Sequence, residues 1–200
     1  MTSKRIFDLL FAVPALILVS PLMFVVAIWI KADSSGPVIF GQERIGRDGV
    51  PFRILKFRTM SVRETDGGLL VTKTTDERIT SSGRMLRQFK IDELPQLVNV
   101  VLGQMSIVGP RPEVKKYVNL YPDSTRKKVL SVRPGITDNA AIEFRDEGTL
   151  LAAADDPERE YVDSILPQKL SLYENYIDNQ SLTGDLVLIF RTLVRVFRLR

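Results

Sequence analysis

The sequence predicts an α-rich α/β domain with a short β-hairpin, joined to an N-terminal re-entrant membrane helix hairpin and to amphipathic helices at the membrane surface. Three observations predict it. Residues Leu9 to Ile30 form an uncharged, mostly apolar run interrupted at Ser20-Pro21. Two β-prone runs flank Asp48-Gly49, a dipeptide that favours a tight hairpin turn. From Gly83 onward helical patterns alternate with proline and glycine punctuation, and the last is basic and amphipathic. The boundaries that follow are a membrane anchor at 1–33 and a folded domain at 34–200.

The anchor's 22 uncharged residues would make about 33 Å of straight helix, enough to cross a bilayer core. Pro14 and Pro21 interrupt it. Pro21 supplies no N–H to the carbonyl four residues back and its ring crowds that carbonyl. Ser20 can bond the freed backbone locally. Either half alone is too short to span. Lys4 and Arg5 precede the run and Lys31 follows it. Cations on both sides suit a hairpin whose two ends stay on the cytoplasmic face, because Lys and Arg mark that side. A kinked span is the alternative. A cleaved signal peptide is disfavoured, since the run is too long.

Next, Gly36 to Phe40 is a turn entering a strand, Gln42 to Gly49 a strand end with its turn, and Pro51 to Met60 the return strand. Arg44, Arg47, Arg53, Lys56 and Arg58 crowd this hairpin, giving either a solvated face or a phosphate-binding one. Residues 61–82 are polar and glycine-containing, a loop or lid. A helix from Gly83 to Phe89 carries Arg84 and Arg87, and the helix after Pro95 ends at Gly103. Pro110 and Pro112 stiffen the backbone around Arg111, which preorganises a guanidinium for bidentate phosphate recognition. An exposed turn arginine is the plainer reading. Helices broken at Pro122 follow, then a second rigid turn at Arg133-Pro134, a short strand at Ala140–Phe144, an acidic turn at 145–147 and a helix from Glu158 to Asn175. At the end, Leu186, Ile189, Phe190, Leu193, Val194 and Phe197 share one side, with Arg191, Arg195 and Arg198 on another. Such a helix lies at a membrane surface or packs on the core with its arginines outward.

A hydrophobic fraction of 44% with 26% charged residues suits a globular core. The net charge of +4 fits an anionic membrane or a phosphorylated substrate. The scattered aromatics make no stacking platform for single strands, so no nucleic-acid partner is expected. There is no cysteine and no histidine, which excludes disulfides, a thiolate nucleophile and the commonest general base and metal ligand. Chemistry must then run on carboxylates, Lys, Arg, hydroxyls or a hard cation on oxygen ligands, Mg²⁺ first.

Lys90-Ile91-Asp92-Glu93-Leu94-Pro95-Gln96-Leu97 is the centre of the chain. Proline suits the first helical turn, so Asp92 and Glu93 fall at or just before a helix N-terminus, where the dipole favours negative charge. Adjacent helical residues do not face each other. Either the backbone is irregular there or each carboxylate serves a different partner. The plain alternative is an N-cap with a favourable first-turn charge.

Taken in order, these motifs resemble the bacterial sugar transferases: KR-x-x-D, the apolar run with Ser-Pro, F-x-Q-x-R-x-G-x-x-G-x-P-F, KFRTM, R-x-x-x-x-DELPQL-x-NV, G-x-MS-x-VGPRP and RPGIT. More narrowly, the chain is similar to the small monotopic phosphoglycosyl transferases, in register from about Lys4 to Thr137. The resemblance implies a re-entrant hairpin and a small α/β catalytic domain on the cytoplasmic face of the bacterial inner membrane, in minimal form. It implies transfer of a phosphosugar from a UDP-sugar to a polyprenyl (undecaprenyl) phosphate with release of UMP. A covalent aspartyl intermediate on Asp92, with Glu93 as its partner and Mg²⁺ bound at Asp92, is implied as well. Lys56, Arg58, Arg87, Arg111 and Arg133 would hold phosphate or nucleotide, Lys4 and Arg5 would meet the acceptor phosphate, and Ser20 and Pro21 would set the membrane break. Asp138 to Glu147 departs from the pattern many relatives show after RPGIT, which leaves the sugar open, as it leaves the glycan pathway. Membrane lipid and downstream glycosyltransferases are the implied partners, and the oligomeric state, a homodimer included, is open. Two other readings compete: a membrane-anchored adaptor in which DELP only caps a helix, and a Mg²⁺-dependent nucleotidyl- or glycosyltransferase that breaks a different bond.

Overall fold

The apolar N-terminal run folds as one helix, α1 (Ser3–Asp33), long and apolar enough to cross a membrane. The computed structural model describes residues 3–61, 76–144 and 146–197. Most of the expected loop at 61–82 lies outside the described residues, as do Arg145 and Arg198. Where two helical segments were expected, the helix runs on through Pro14 and Pro21. Ser20 Oγ donates at 2.8 Å to the carbonyl of Ile17, the group that Pro21 has no N–H to serve. One side of α1 lies along the rest of the chain, burying Ala12, Val26 and Ile30. Leu10, Ile17, Leu18, Phe24, Val25 and Ile28 are left exposed.

Strands β1 (Ile39–Ile45) and β2 (Pro51–Phe57) pair antiparallel, from Ile39↔Phe57 to Ile45↔Pro51. Asp48 (φ 57°) and Gly49 (φ 76°) both take the positive φ that a two-residue turn requires. Phe52 and Ile54 of β2 meet Ala12 of α1 together with Leu97, Val100 and Met105. Burying side chains of this size contributes about 1.5–3 kcal/mol each. Phe57 packs with Val26, Ile30 and Leu86. Asn99 stands in for a further strand at β2, accepting from Leu55 N at 3.0 Å and donating to Arg53 O at 2.8 Å.

Helix α2 (Ser81–Gln88) is capped by Thr80, a 3-10 turn covers Ile91–Glu93, and α3 (Gln96–Val101) runs to Gly103 at φ 83°. Strand β3 (Ser106–Val108), helices α4 (Lys115–Val118) and α5 (Asp123–Val129) and strand β4 (Gly135–Thr137) follow. The two proline-arginine motifs are brought together by parallel pairing of β3 with β4. Gly135 N donates to Pro110 O at 2.9 Å and Gly109 N to Thr137 O at 3.0 Å. A Cβ at Gly109 would lie 2.6 Å from Arg133 O, so this approach needs glycine.

The strand expected at Ala140–Phe144 is instead helix α6 (Asn139–Glu143). Asp138 caps it by accepting from Ala141 N at 2.8 Å, and a capped N-terminus outweighs the weak β preference of so short a run. Helices α7 (Glu147–Ala153) and α8 (Pro157–Glu160), a π turn at Tyr161–Ile165 and α9 (Leu166–Asp178) form the largest core with α4 and α5, around Tyr117, Tyr161, Leu170 and Tyr173. Helix α10 (Leu182–Phe197) seats Leu188 on Val108 and Tyr176. Of its expected apolar side, Leu186, Phe190 and Leu193 are exposed, so the helix packs by one stripe and leaves an apolar row uncovered.

Candidate active site

Between α2 and α3 the backbone breaks helical order. Lys90 takes the left-handed conformation (φ 57°, ψ 19°), and the 3-10 turn follows. Neither this turn nor α3, which starts after Pro95, has a side-chain cap. The reading of DELP as a helix cap is therefore corrected: the chain reaches α3 through the turn, and Pro95 occupies the cap position.

The irregular turn gives the two carboxylates different partners. Glu93 takes Lys56 Nζ at 2.8 Å and Arg111 Nη2 at 2.5 Å. Burial alone would raise its carboxyl, but the Arg111 and Lys56 charges outweigh it and hold it well below the ordinary glutamate value. Asp92 is 7% exposed, and its Oδ1 is buried with no hydrogen-bond partner among the described residues. Burial pushes the Asp92 carboxyl up, Lys56 pulls against that, and the neighbouring Glu93 charge adds to the rise. One acid is thus neutralised in place, while its neighbour keeps an oxygen free.

Arg111 is held by its neighbours as well as by its prolines. Arg44 Nη1 donates to Pro112 O at 3.3 Å and Glu113 Oε2 at 3.1 Å, and Tyr161 OH donates to Glu113 Oε1 at 2.6 Å. This brace was not read from the sequence, where Arg44 is one cation among five on the hairpin. Arg87 Nε donates to Thr59 Oγ1 at 2.9 Å. Burial lowers the Arg87 guanidinium, and the Asp92 charge is the main influence opposing it. Lys56, Arg87 and Arg111 therefore gather around the acid pair.

The other expected phosphate ligands are engaged elsewhere. Arg58 is buried, donating to Ser35 O at 2.7 Å, Ser34 O at 2.7 Å and Ile30 O at 3.4 Å, so it closes the C-terminus of α1. Arg133 Nε donates to Gly103 O at 2.8 Å. Arg5 holds the last carbonyls of α3, Val100 O at 2.6 Å and Val101 O at 2.8 Å. Lys4 lies between Asp8 (3.2 Å) and Asp185 (2.8 Å). Free helix-end carbonyls attract cations, and local sequence does not reveal which arginine will meet them. Asp138, in the segment that departs from the family pattern, is buried, and burial pushes its carboxyl up to about 6.

Among the described residues no group of three acids could hold a metal. The Asp92 oxygen without a partner nonetheless fits Mg²⁺, which takes one or two carboxylates and completes its shell with water and substrate phosphate.

These features define a class: a helix-rich domain lying along an apolar N-terminal helix, with one free and one neutralised carboxylate set among cations. The chain belongs to the family described as bacterial sugar transferase, whose model matches residues 1–199. It is 38% identical over 200 residues to the UDP-glucose:undecaprenyl-phosphate glucose-1-phosphate transferase of Klebsiella pneumoniae, covering 98% of this chain and 40% of that protein. It is 36% identical over 209 residues to the exopolysaccharide production protein ExoY of Sinorhizobium fredii, covering 97% and 85%. A UDP-N-acetylgalactosamine-undecaprenyl-phosphate N-acetylgalactosaminephosphotransferase of Aeromonas hydrophila is 38% identical over 194 residues, covering 95% and 42%. The chain thus spans less than half of the Klebsiella and Aeromonas proteins and most of the Sinorhizobium one.

Proposed function

We propose that this chain transfers a phosphosugar from a UDP-sugar to a polyprenyl phosphate and releases UMP, the first membrane step of a bacterial glycan. The observation that carries this reading is the division of labour between Asp92 and Glu93. In the first step an Asp92 carboxylate oxygen bonds to the sugar-bearing phosphorus. The bridging P–O bond breaks, and UMP leaves with that oxygen and its electron pair. In the second step a phosphate oxygen of the polyprenyl phosphate attacks the same phosphorus. The aspartyl P–O bond then breaks and the Asp92 carboxylate is restored. A carboxylate is a competent acceptor for such a transfer without histidine.

Arg87 and Arg111 neutralise donor phosphate charge, and positioning with charge neutralisation supplies most of the acceleration in phosphoryl transfer. Glu93 holds Lys56 and Arg111 at the site between turnovers. Burial of Asp92 limits water's access to the aspartyl phosphosugar. Asp92 would hold Mg²⁺ through its partnerless Oδ1, and the bound ion supplies further charge neutralisation at the diphosphate.

The membrane arrangement we propose is re-entrant, with the domain on the cytoplasmic face. Both ends of α1 are tied to one body: Arg5 to α3 and Lys4 to Asp185 at the start, and Asp33 to Ser82 N at 3.0 Å at the finish. A spanning helix places its ends on opposite sides of about 30 Å of hydrocarbon and would leave one of these contacts unmade.

The test is the intact mass of nanodisc-held protein given Mg²⁺ and a panel of UDP-sugars without lipid acceptor. An adduct of one phosphosugar, absent in Asp92→Asn, is the expected result. No adduct with any donor, and no UMP on adding polyprenyl phosphate, overturns the reading.

A further inference from the structure

We infer that Thr59 is a positioning residue that holds Arg87 beside Asp92 through its hydroxyl. The inference rests on the proposed role of Asp92 and adds to the site a residue whose own atoms need not touch substrate. Thr59 serves α2 at both ends. Its carbonyl accepts from Thr80 N at 3.0 Å, where the helix begins, and its Oγ1 accepts from Arg87 Nε at 2.9 Å, near the helix end. Gly83 makes this approach possible, since a Cβ there would run into the Thr59 carbonyl. The main chain around Thr59 is anchored independently of its side chain. Arg58 N donates to Val38 O at 2.9 Å, and Ser61 N to Arg78 O at 2.9 Å.

The hydroxyl's work is therefore separable from the fold. With Nε engaged by a neutral, buried acceptor, the guanidinium is fixed in rotation. Among the described residues neither of its terminal nitrogens donates a hydrogen bond, and the Asp92 charge acts on the guanidinium without one. That edge presents two parallel N–H groups able to grip two phosphate oxygens. Fixing it beforehand spares the entropy of ordering a long side chain during binding. A carboxylate in the place of Thr59 would neutralise the arginine, and a hydroxyl orients it without doing so.

The experiment compares Thr59→Val, which keeps the shape and removes the acceptor, with Thr59→Ser, which keeps the hydroxyl, each alone and combined with Arg87→Gln, in nanodiscs with UDP-sugar donor. Thr59→Val should lose about tenfold in kcat/KM, the scale of a hydrogen bond to a charged group, with Thr59→Ser within about twofold of wild type. In the Arg87→Gln background Thr59→Val should cost nothing further, because residues acting through one contact are not additive. Wild-type kcat/KM in Thr59→Val, or losses that simply add, would overturn the inference. Should the wild type show no adduct and no UMP release, the transferase reading falls, and the Arg87 Nε–H resonance decides the role of Thr59. An ordered signal in wild type and Thr59→Ser that is averaged in Thr59→Val supports it; a signal unchanged in Thr59→Val sinks it.

Discussion

At the foot of α1, Lys4 sits between Asp8 and Asp185, whereas at the 3-10 turn Lys56 and Arg111 both sit on Glu93 and leave an Asp92 oxygen aside. Both regions bury carboxylates among cations. In the first, neutral donors engage the acids as well: Asp8 Oδ1 accepts from Ser106 Oγ at 2.8 Å and Ile107 N at 3.1 Å, and Asp185 Oδ1 from Tyr176 OH at 2.9 Å. That cluster fastens α1 to β3 and α10. Oδ2 of Asp8 and Oδ2 of Asp185 lack a hydrogen bond, but each acid is held through its Oδ1. In the second region the cations concentrate on Glu93, and no donor reaches the buried Oδ1 of Asp92 among the described residues. A buried acid held by donors on at least one oxygen stabilises a junction, and one that takes no hydrogen bond from the described residues is a candidate to meet a substrate or an ion.

Exchanging the same atom in the two regions should break the comparison most sharply. Asp92→Asn should lose turnover by on the order of a thousandfold or more, as removal of a nucleophile does, with an unfolding midpoint no lower than wild type because a buried charge is removed. Asp185→Asn should do the opposite, costing about 3 kcal/mol in denaturant unfolding by leaving Lys4 against a neutral amide, with turnover per folded molecule retained. If both variants lose only activity, or both only stability, the division is wrong.

Glu93→Gln is expected to do both. It strips Lys56 and Arg111 of their shared partner, for about 3–5 kcal/mol of stability and most of the turnover. The pH dependence separates the two acids more gently. Asp92 must be ionised to attack, and its carboxyl lies above the ordinary 3.8, so activity should fail on acidification while still above the usual aspartate range. Glu93 is held below the ordinary 4.5, so its contribution to stability is full above that value and disappears only as pH falls through the lower folded-state value. Acidification should therefore yield a folded, inactive protein before an unfolded one. Circular dichroism followed beside UMP release checks the order of events. The smallest effect belongs to Ser20→Ala, which removes one hydrogen bond to Ile17 O and should cost about 1 kcal/mol or less.

Much of the fold was legible because its signals are local. Asp48-Gly49 specifies its own turn, Gly103 its own helix end, and the uncharged run its own helix. The acid pair stood out too, since a proline two residues on marks a helix start and the absence of cysteine and histidine narrows chemistry to carboxylates, Lys, Arg, hydroxyls or a bound ion. Ala140 to Phe144 misled because five residues carry little periodicity, and the cap at Asp138 decided the matter. The exposed Leu186, Phe190 and Leu193 were seen as an apolar row, but only packing showed that Leu188 faces the core.

By itself the sequence determined the β-hairpin, the apolar helix and the stiff backbone around Arg111, each set by neighbours a few residues away, and it left open whether the backbone is irregular at Asp92-Glu93. The tertiary structure alone decided which cations serve the acids. Arg5 and Arg58 go to the helix ends of α3 and α1, Arg133 to Gly103 O, Lys4 to Asp8 and Asp185, and Lys56 and Arg111 to Glu93. The physical reason is reach: a guanidinium or an ammonium binds whichever carbonyl or carboxylate the folded chain sets beside it, and most of these partners lie tens of residues away.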